Sequence, residues 1–199
     1  MRYNAILLAG GLSTRMGQDK AMLSQSGVTL LQLAYNKITE VMKSMTDSHI
    51  AISGNYPEYF GITDLREKRG PIEGIWSCTR ETKYNTAVLV FPVDMPLLMS
   101  KQFKLLFAQI EQEHLQDSGV EFIQFEDREM PFVFIYNKKT EKLLDAVRNQ
   151  ESNSKRSIRY FKLLLYGKVI VATELSHFIN VNTPAEWKEV NNEASTKSE

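Results

Sequence analysis

Thr86-Ala87-Val88-Leu89-Val90-Phe91 is an unbroken apolar run. A strand wet on one face alternates apolar and polar residues, so a run without alternation predicts a strand covered on both faces, as in a parallel sheet between two helical layers. Tyr3 to Leu8 is a second apolar run and opens directly into Leu8-Ala9-Gly10-Gly11-Leu12-Ser13-Thr14-Arg15-Met16-Gly17-Gln18-Asp19-Lys20. Three glycines, an arginine and a lysine in one loop after a buried strand read as a phosphate cradle. Glycine allows close backbone approach, and the two cations neutralise charge that backbone dipoles alone do not. The spacing is neither a Walker A loop, which needs Gly-Lys-Ser/Thr, nor a G-x-G-x-x-G dinucleotide fingerprint.

Alternation of strand and helix continues along the chain. Thr29 is placed to cap a helix with Leu30, Leu33, Ala34, Ile38, Val41 and Met42 at helical spacing, and His49 to Ser53 reads as the next strand. Asp64 ends an extended segment. A charged loop follows it, and Pro71 suits the first turn of a helix because its missing N–H needs no partner there. After Phe91 comes Pro92-Val93-Asp94-Met95-Pro96, then Ser100 as the expected cap of a helix carrying Phe103, Leu106, Phe107 and Ile110. Val120 to Phe125 and Pro131 to Tyr136 flank an acidic turn and read as a strand pair at an edge or in a side sheet. Thr140 to Val147 and Ile158 to Leu165 read as helices, Lys168 to Ala172 as a strand. Phe178 to Pro184 leads into a last amphipathic helix.

The fold class is therefore α/β: a three-layer α/β/α, Rossmann-like nucleotide-binding arrangement with a mainly parallel sheet. A chain of 199 residues suits one domain, expected over 1–190, with a polar and disordered tail over 191–199. Twenty-four basic and 24 acidic residues cancel, so no global field favours nucleic acid or membrane and an anion site must be local. The first apolar run is too short for a membrane span, and the expected location is cytoplasmic. The single cysteine, Cys78, reads as a packing residue, and His49, His114 and His177 lack metal-ligand spacing.

Parallel strands bring their C-terminal ends to one edge, where Asp94 and Lys20 can converge. Those parts match nucleotidyl transfer, which asks for a held triphosphate, a divalent metal and an in-line nucleophile, with little covalent work for side chains. The backbone at Gly10 and Gly11 would hold phosphates, Arg15 and Lys20 would stabilise charge on leaving pyrophosphate, and Asp94 would bind magnesium.

Four separated segments together resemble the molybdenum cofactor guanylyltransferases: Leu8 to Lys20, Gly70-Pro71-Ile72-Glu73-Gly74, Pro92-Val93-Asp94-Met95-Pro96 and Asn180-Val181-Asn182-Thr183-Pro184. The resemblance implies transfer of GMP from GTP to the terminal phosphate of molybdopterin in the Mo-molybdopterin cofactor. It places Leu8, Ala9 and Gly10 on the nucleotide, Lys20 on its phosphates, Asp94 on nucleotide and magnesium, and Asp64 on guanosine. Asn180, Asn182 and Arg156, with Ser157 and Met130-Pro131, would face the pterin. Several family members carry asparagine where this chain has Ser53, with Asn55 two residues on. Transient docking with molybdopterin-synthesis proteins and target molybdoenzymes is the implied partnership. The rival readings are a molybdopterin cytidylyltransferase, in which Ala usually stands in place of Gly10, a sugar-phosphate nucleotidyltransferase, and a catalytically silent nucleotide sensor. The sensor would be expected to have lost Lys20 or Asp94.

Overall fold

A computed structural model describes residues 1–10, 19–25, 27–183, 185–186 and 190. Gly11, Arg15, Pro184 and the tail 191–199 lie outside the described residues, as does most of the expected last helix.

The strands are β1 (Arg2–Leu8), β2 (Ser24–Gln25), β3 (Val28–Thr29), β4 (Ser48–Ser53), β5 (Thr86–Pro92), β6 (Phe122–Phe125), β7 (Phe132–Tyr136) and β8 (Gly167–Ile170). The helices are α1 (Leu30–Met42), α2 (Pro71–Thr79), α3 (Ser100–Leu115), α4 (Lys138–Arg148) and α5 (Ile158–Leu163). β2 and β3 form a small antiparallel ribbon, and the other six strands build one sheet in the order β4-β1-β5-β7-β6-β8. Only β7 opposes its neighbours; the remaining pairings are parallel.

Alternate residues of each central strand enter opposite cores. Ala5, Leu7, Ala87, Leu89 and Phe91 pack with α1 and α3, while Ile6, Val88 and Val90 pack with α2, α4 and α5. Every residue of β5 is buried, as its lack of alternation predicts. Local signals place several ends. Thr29 Oγ1 accepts from Gln32 N at 3.1 Å at the start of α1, and Pro71 is the first residue of α2. Gly70, immediately before it, sits at φ +78, a backbone region that glycine enters without cost.

Two expectations need correction. Ser100 does not cap α3; Met99 does, with its N–H donating to Gln102 Oε1 at 3.0 Å, while Ser100 Oγ donates to Glu40 at 3.0 Å. The β6–β7 pair is neither an edge nor a side sheet, because β7 inserts beside β5 and β6 continues the main sheet to β8. Phe132 to Tyr136 is buried throughout, and that apolar run is the signal of an interior strand.

Candidate active site

β1 and β5 are neighbours, the connection from β1 running to β4 on one side and that from β5 to β6 on the other, and such a switch point opens a crevice at the C-terminal strand ends. The registers bring Leu8 level with Ser53 on one side and Pro92 on the other. Val93 N–H donates to Leu8 O at 3.0 Å, and the N–H groups of Ala9 and Gly10 donate to Ser53 O at 3.1 and 2.7 Å. A Cβ on Gly10 would stand 3.3 Å from Gly54 Cα and from Ser53 O. Gly10 thus serves a close crossing of two segments of the chain. Its N–H is committed to Ser53 O.

On the β5 side, Lys20 and Asp94 meet. Lys20 opens a short 3-10 turn over Lys20–Met22, capped by Asp19, whose Oδ1 accepts from Ala21 N at 3.0 Å. Lys20 Nζ donates to Asp94 Oδ2 at 3.1 Å and to Asn182 Oδ1 at 2.9 Å. Asp94 O accepts from Val181 N at 2.8 Å, which fastens the segment before the last helix across the end of β5. Thr183 Oγ1 accepts from Glu186 N at 3.2 Å, and Glu186 Oε2 accepts from Thr183 N at 3.1 Å, the reciprocal pair of a capping box. Asp94 Oδ1 is buried and has no hydrogen-bond partner among the described residues. A buried carboxylate oxygen without a donor suits a hard cation, and magnesium needs only one or two carboxylates when phosphates and water complete its shell. Among the described residues no group of three acidic, histidine or cysteine side chains forms a fuller metal site.

On the β4 side lies a cleft of about 470 Å³ lined by Leu8, Gly10, Ser53, Asp64, Lys68 and Gly74, among others. That is ample for a purine nucleoside. Ser53 is buried beneath α2, where a Cβ on Gly74 would come within 2.2 Å of its Oγ. Ile62 forms a bridge with Ser53, and this extension delivers Asp64 beside it. Asp64 Oδ1 is buried without a hydrogen-bond partner among the described residues. Burial, and then the charge of Glu73, push its carboxyl above the usual carboxylate range, against a hydroxyl contact from Ser53.

Lys20, Asp94 and Asn182 come together, and Leu8, Gly10, Ser53 and Asp64 share the cleft. Ala9 lies where the two segments cross, and Asn180 is exposed two residues before Asn182. Arg156 is elsewhere: its Nε donates to Arg69 O at 3.2 Å and its Nη1 to the carbonyls of Gln150 and Glu151 at 2.8 and 3.0 Å, a clamp behind the cleft wall. Cys78 is buried, and burial pushes its thiol up to about 12, so it stays protonated.

Two neighbours escape sequence reading. Tyr56 OH donates to Ala9 O at 3.0 Å and also lies 3.0 Å from Asp19 Oδ2, joining the residues on either side of 11–18. Glu73, fully buried in α2, pairs with Arg66 at 3.2 Å and Arg148 at 3.1 Å, tying the cleft wall to α4. The glycine at 54, whose Cβ would strike the Tyr56 ring at 2.5 Å, is the one local hint of the first.

Comparison with known proteins agrees with this arrangement. A molybdenum cofactor guanylyltransferase from Xanthomonas euvesicatoria is 32% identical over 187 residues, covering 93% of this chain and 92% of that protein. A probable molybdenum cofactor guanylyltransferase from Bacillus cytotoxicus is 27% identical over 93% of this chain and 94% of its own length. The crystal structure of molybdopterin-guanine dinucleotide biosynthesis protein A from Archaeoglobus fulgidus superposes with a TM-score of 0.75 at 19% identity, covering 97% of this chain and 99% of that one. A CMP:2-keto-3-deoxy-manno-octonic acid synthetase complexed with CTP shares the fold at a TM-score of 0.69 and 11% identity, covering 99% and 100%. The fold by itself therefore does not choose the base. The family model described as a MobA-like NTP transferase domain matches residues 5–163, and the chain belongs to that family.

Proposed function

We infer that this chain is a nucleotidyltransferase that moves GMP from GTP to the terminal phosphate of molybdopterin, giving the guanine dinucleotide form of the cofactor and pyrophosphate. The observation that carries the reading is the meeting of Lys20, Asp94 and Asn182 at the strand edge, next to a cleft that holds Ser53 and Asp64. The names of the relatives supply the base and the acceptor.

GTP lies across the end of β1, with guanine in the cleft and phosphates toward Lys20. Asp64 accepts from the donor edge of guanine. An oxygen of the acceptor phosphate, already ionised near neutral pH, attacks the α-phosphorus in line; the bond from that phosphorus to the bridging oxygen breaks, and its electron pair leaves with pyrophosphate. Lys20 neutralises the departing charge, and Asn182 and Asp94 hold its ammonium in place. Asp94 Oδ1 would hold Mg2+, which would supply Lewis-acid charge on the phosphates. Arg15, which lies outside the described residues, would share the charge of the leaving group with Lys20, and Asn180 would face the acceptor. Use of a nucleoside triphosphate fits a cytoplasmic enzyme that passes its product to molybdoenzymes by transient docking.

The deciding experiment is pyrophosphate release with GTP, magnesium and molybdopterin, compared with CTP and with sugar phosphates as acceptors. Release is expected for the GTP–molybdopterin pair. Preference for CTP would reassign the base, and no release under any pairing would overturn the enzyme reading.

A further inference from the structure

The turn between β6 and β7 stands at the same sheet edge as the site and is held more firmly than a surface turn requires. Lys162 of α5 is buried and donates Nζ to Glu129 O at 2.8 Å and Gln124 Oε1 at 2.5 Å. Burial lowers its pKa to about 8, so a desolvated amine is committed to fixing this turn. Glu126 N–H donates to Ile170 O at 2.8 Å, and Arg128 N–H donates to Phe125 O at 3.2 Å.

The side chain of Arg128 is anomalous. It is flanked by Asp127 and Glu129, with Glu126 two residues away, yet among the described residues its guanidinium makes no ion pair or hydrogen bond. Its Cζ lies 5.8 Å from the centre of the Phe178 ring, which itself packs edge-on against Phe125 at 4.9 Å. Arg128 Nε is buried and unpartnered. A desolvated donor on a charged group is costly unless a partner arrives, and the planar fork of arginine matches phosphate bidentately. Phe178 is four residues before Asn182, the acceptor for Lys20 Nζ, and four residues of chain span at most about 14 Å. Val181, between them, is bonded to Asp94 O at 2.8 Å.

We propose that Arg128 binds the phosphomonoester of the acceptor, held over Phe178 by the β6–β7 turn so that its guanidinium meets that phosphate beside Lys20 and Asp94. The identity of the acceptor rests on the transfer reaction proposed above; the anion chemistry of Arg128 does not.

Equilibrium binding of molybdopterin and of GTP to the full chain tests this with Arg128→Ala and Arg128→Gln, the second keeping part of the stem over Phe178 should alanine loosen the turn. Both variants are expected to weaken molybdopterin binding by about tenfold to a hundredfold, the loss of one charge-assisted contact, with GTP affinity unchanged. Arg128→Lys should fall between them and the wild type. Wild-type molybdopterin affinity in Arg128→Gln, or an equal loss of GTP binding, would overturn the assignment. If the wild-type chain releases no pyrophosphate, the transfer reaction fails instead, and the binding comparison still decides the role of Arg128.

Discussion

At the scale of single residues, the roles proposed for Lys20 and Asp94 are separable although the two side chains touch. Lys20 Nζ is a fixed positive charge at the strand edge, and losing one preorganised charge stabiliser costs on the order of 3 kcal/mol in the transition state. Lys20→Ala is therefore expected to fold normally, as judged by circular dichroism, and to turn over about a hundredfold to a thousandfold more slowly. Asp94→Ala removes the buried, unpartnered Oδ1 and should abolish the magnesium dependence of turnover as well as most activity. A normal magnesium titration for that variant would show that the metal is held elsewhere. Asp94 was legible because it follows an apolar strand run, whose end fixes where the next side chains emerge, and Lys20 because it shares a glycine-rich loop with Arg15. Arg128 and Tyr56 were not. Their significance lies in contacts with Phe178, and with Ala9 and Asp19, and such pairings leave no mark on local spacing.

At the scale of elements, α2 shows how local and long-range signals divide. Gly70 and Pro71 announce its start, and Ile72, Ile75 and Cys78 its buried stripe. The same helix buries Glu73, which no periodic pattern predicts. Its carboxylate is stable there because Arg66 reaches it from the cleft wall and Arg148 from α4, with Arg148 stacked 3.3 Å from the Trp76 ring centre. Removing one partner of a buried ion pair leaves the other charges uncompensated, at a cost of about 3–5 kcal/mol. Glu73→Gln is expected to lower the urea unfolding midpoint accordingly and, by releasing Arg66, to raise KM for GTP more than it lowers kcat. An unchanged midpoint would show that solvent compensates both guanidinium groups. The β6–β7 pair failed in the opposite sense: its strands were visible, but sheet order is set by pairing partners far apart in sequence. The capping of α3 turned on one residue, since Ser100 competes for Glu40 and leaves the cap to Met99.

At the scale of the whole molecule, the site is a joint between distant parts of the chain. Lys20 and Asn182 are 162 positions apart and are bonded directly, with Asp94 on the same Nζ. A ligand that grips all three binds the folded state and has no counterpart in the unfolded one, so it must stabilise the entire fold by mass action. At a GTP–magnesium concentration of a hundred times Kd the gain is about 2.7 kcal/mol. For a chain of this size each kcal/mol is worth about 2–4 °C, so the melting midpoint should rise by about 5–10 °C. Lys20→Ala should lose most of that shift, because the phosphate end of the ligand loses its anchor. Balanced charge, 24 basic against 24 acidic, gives the protein no long-range attraction for an anion, so the shift should fall only modestly between low and physiological salt. A shift that collapses with salt would mean that GTP is held by diffuse surface charge instead of by the part-buried Lys20, Asp94 and Asn182 cluster.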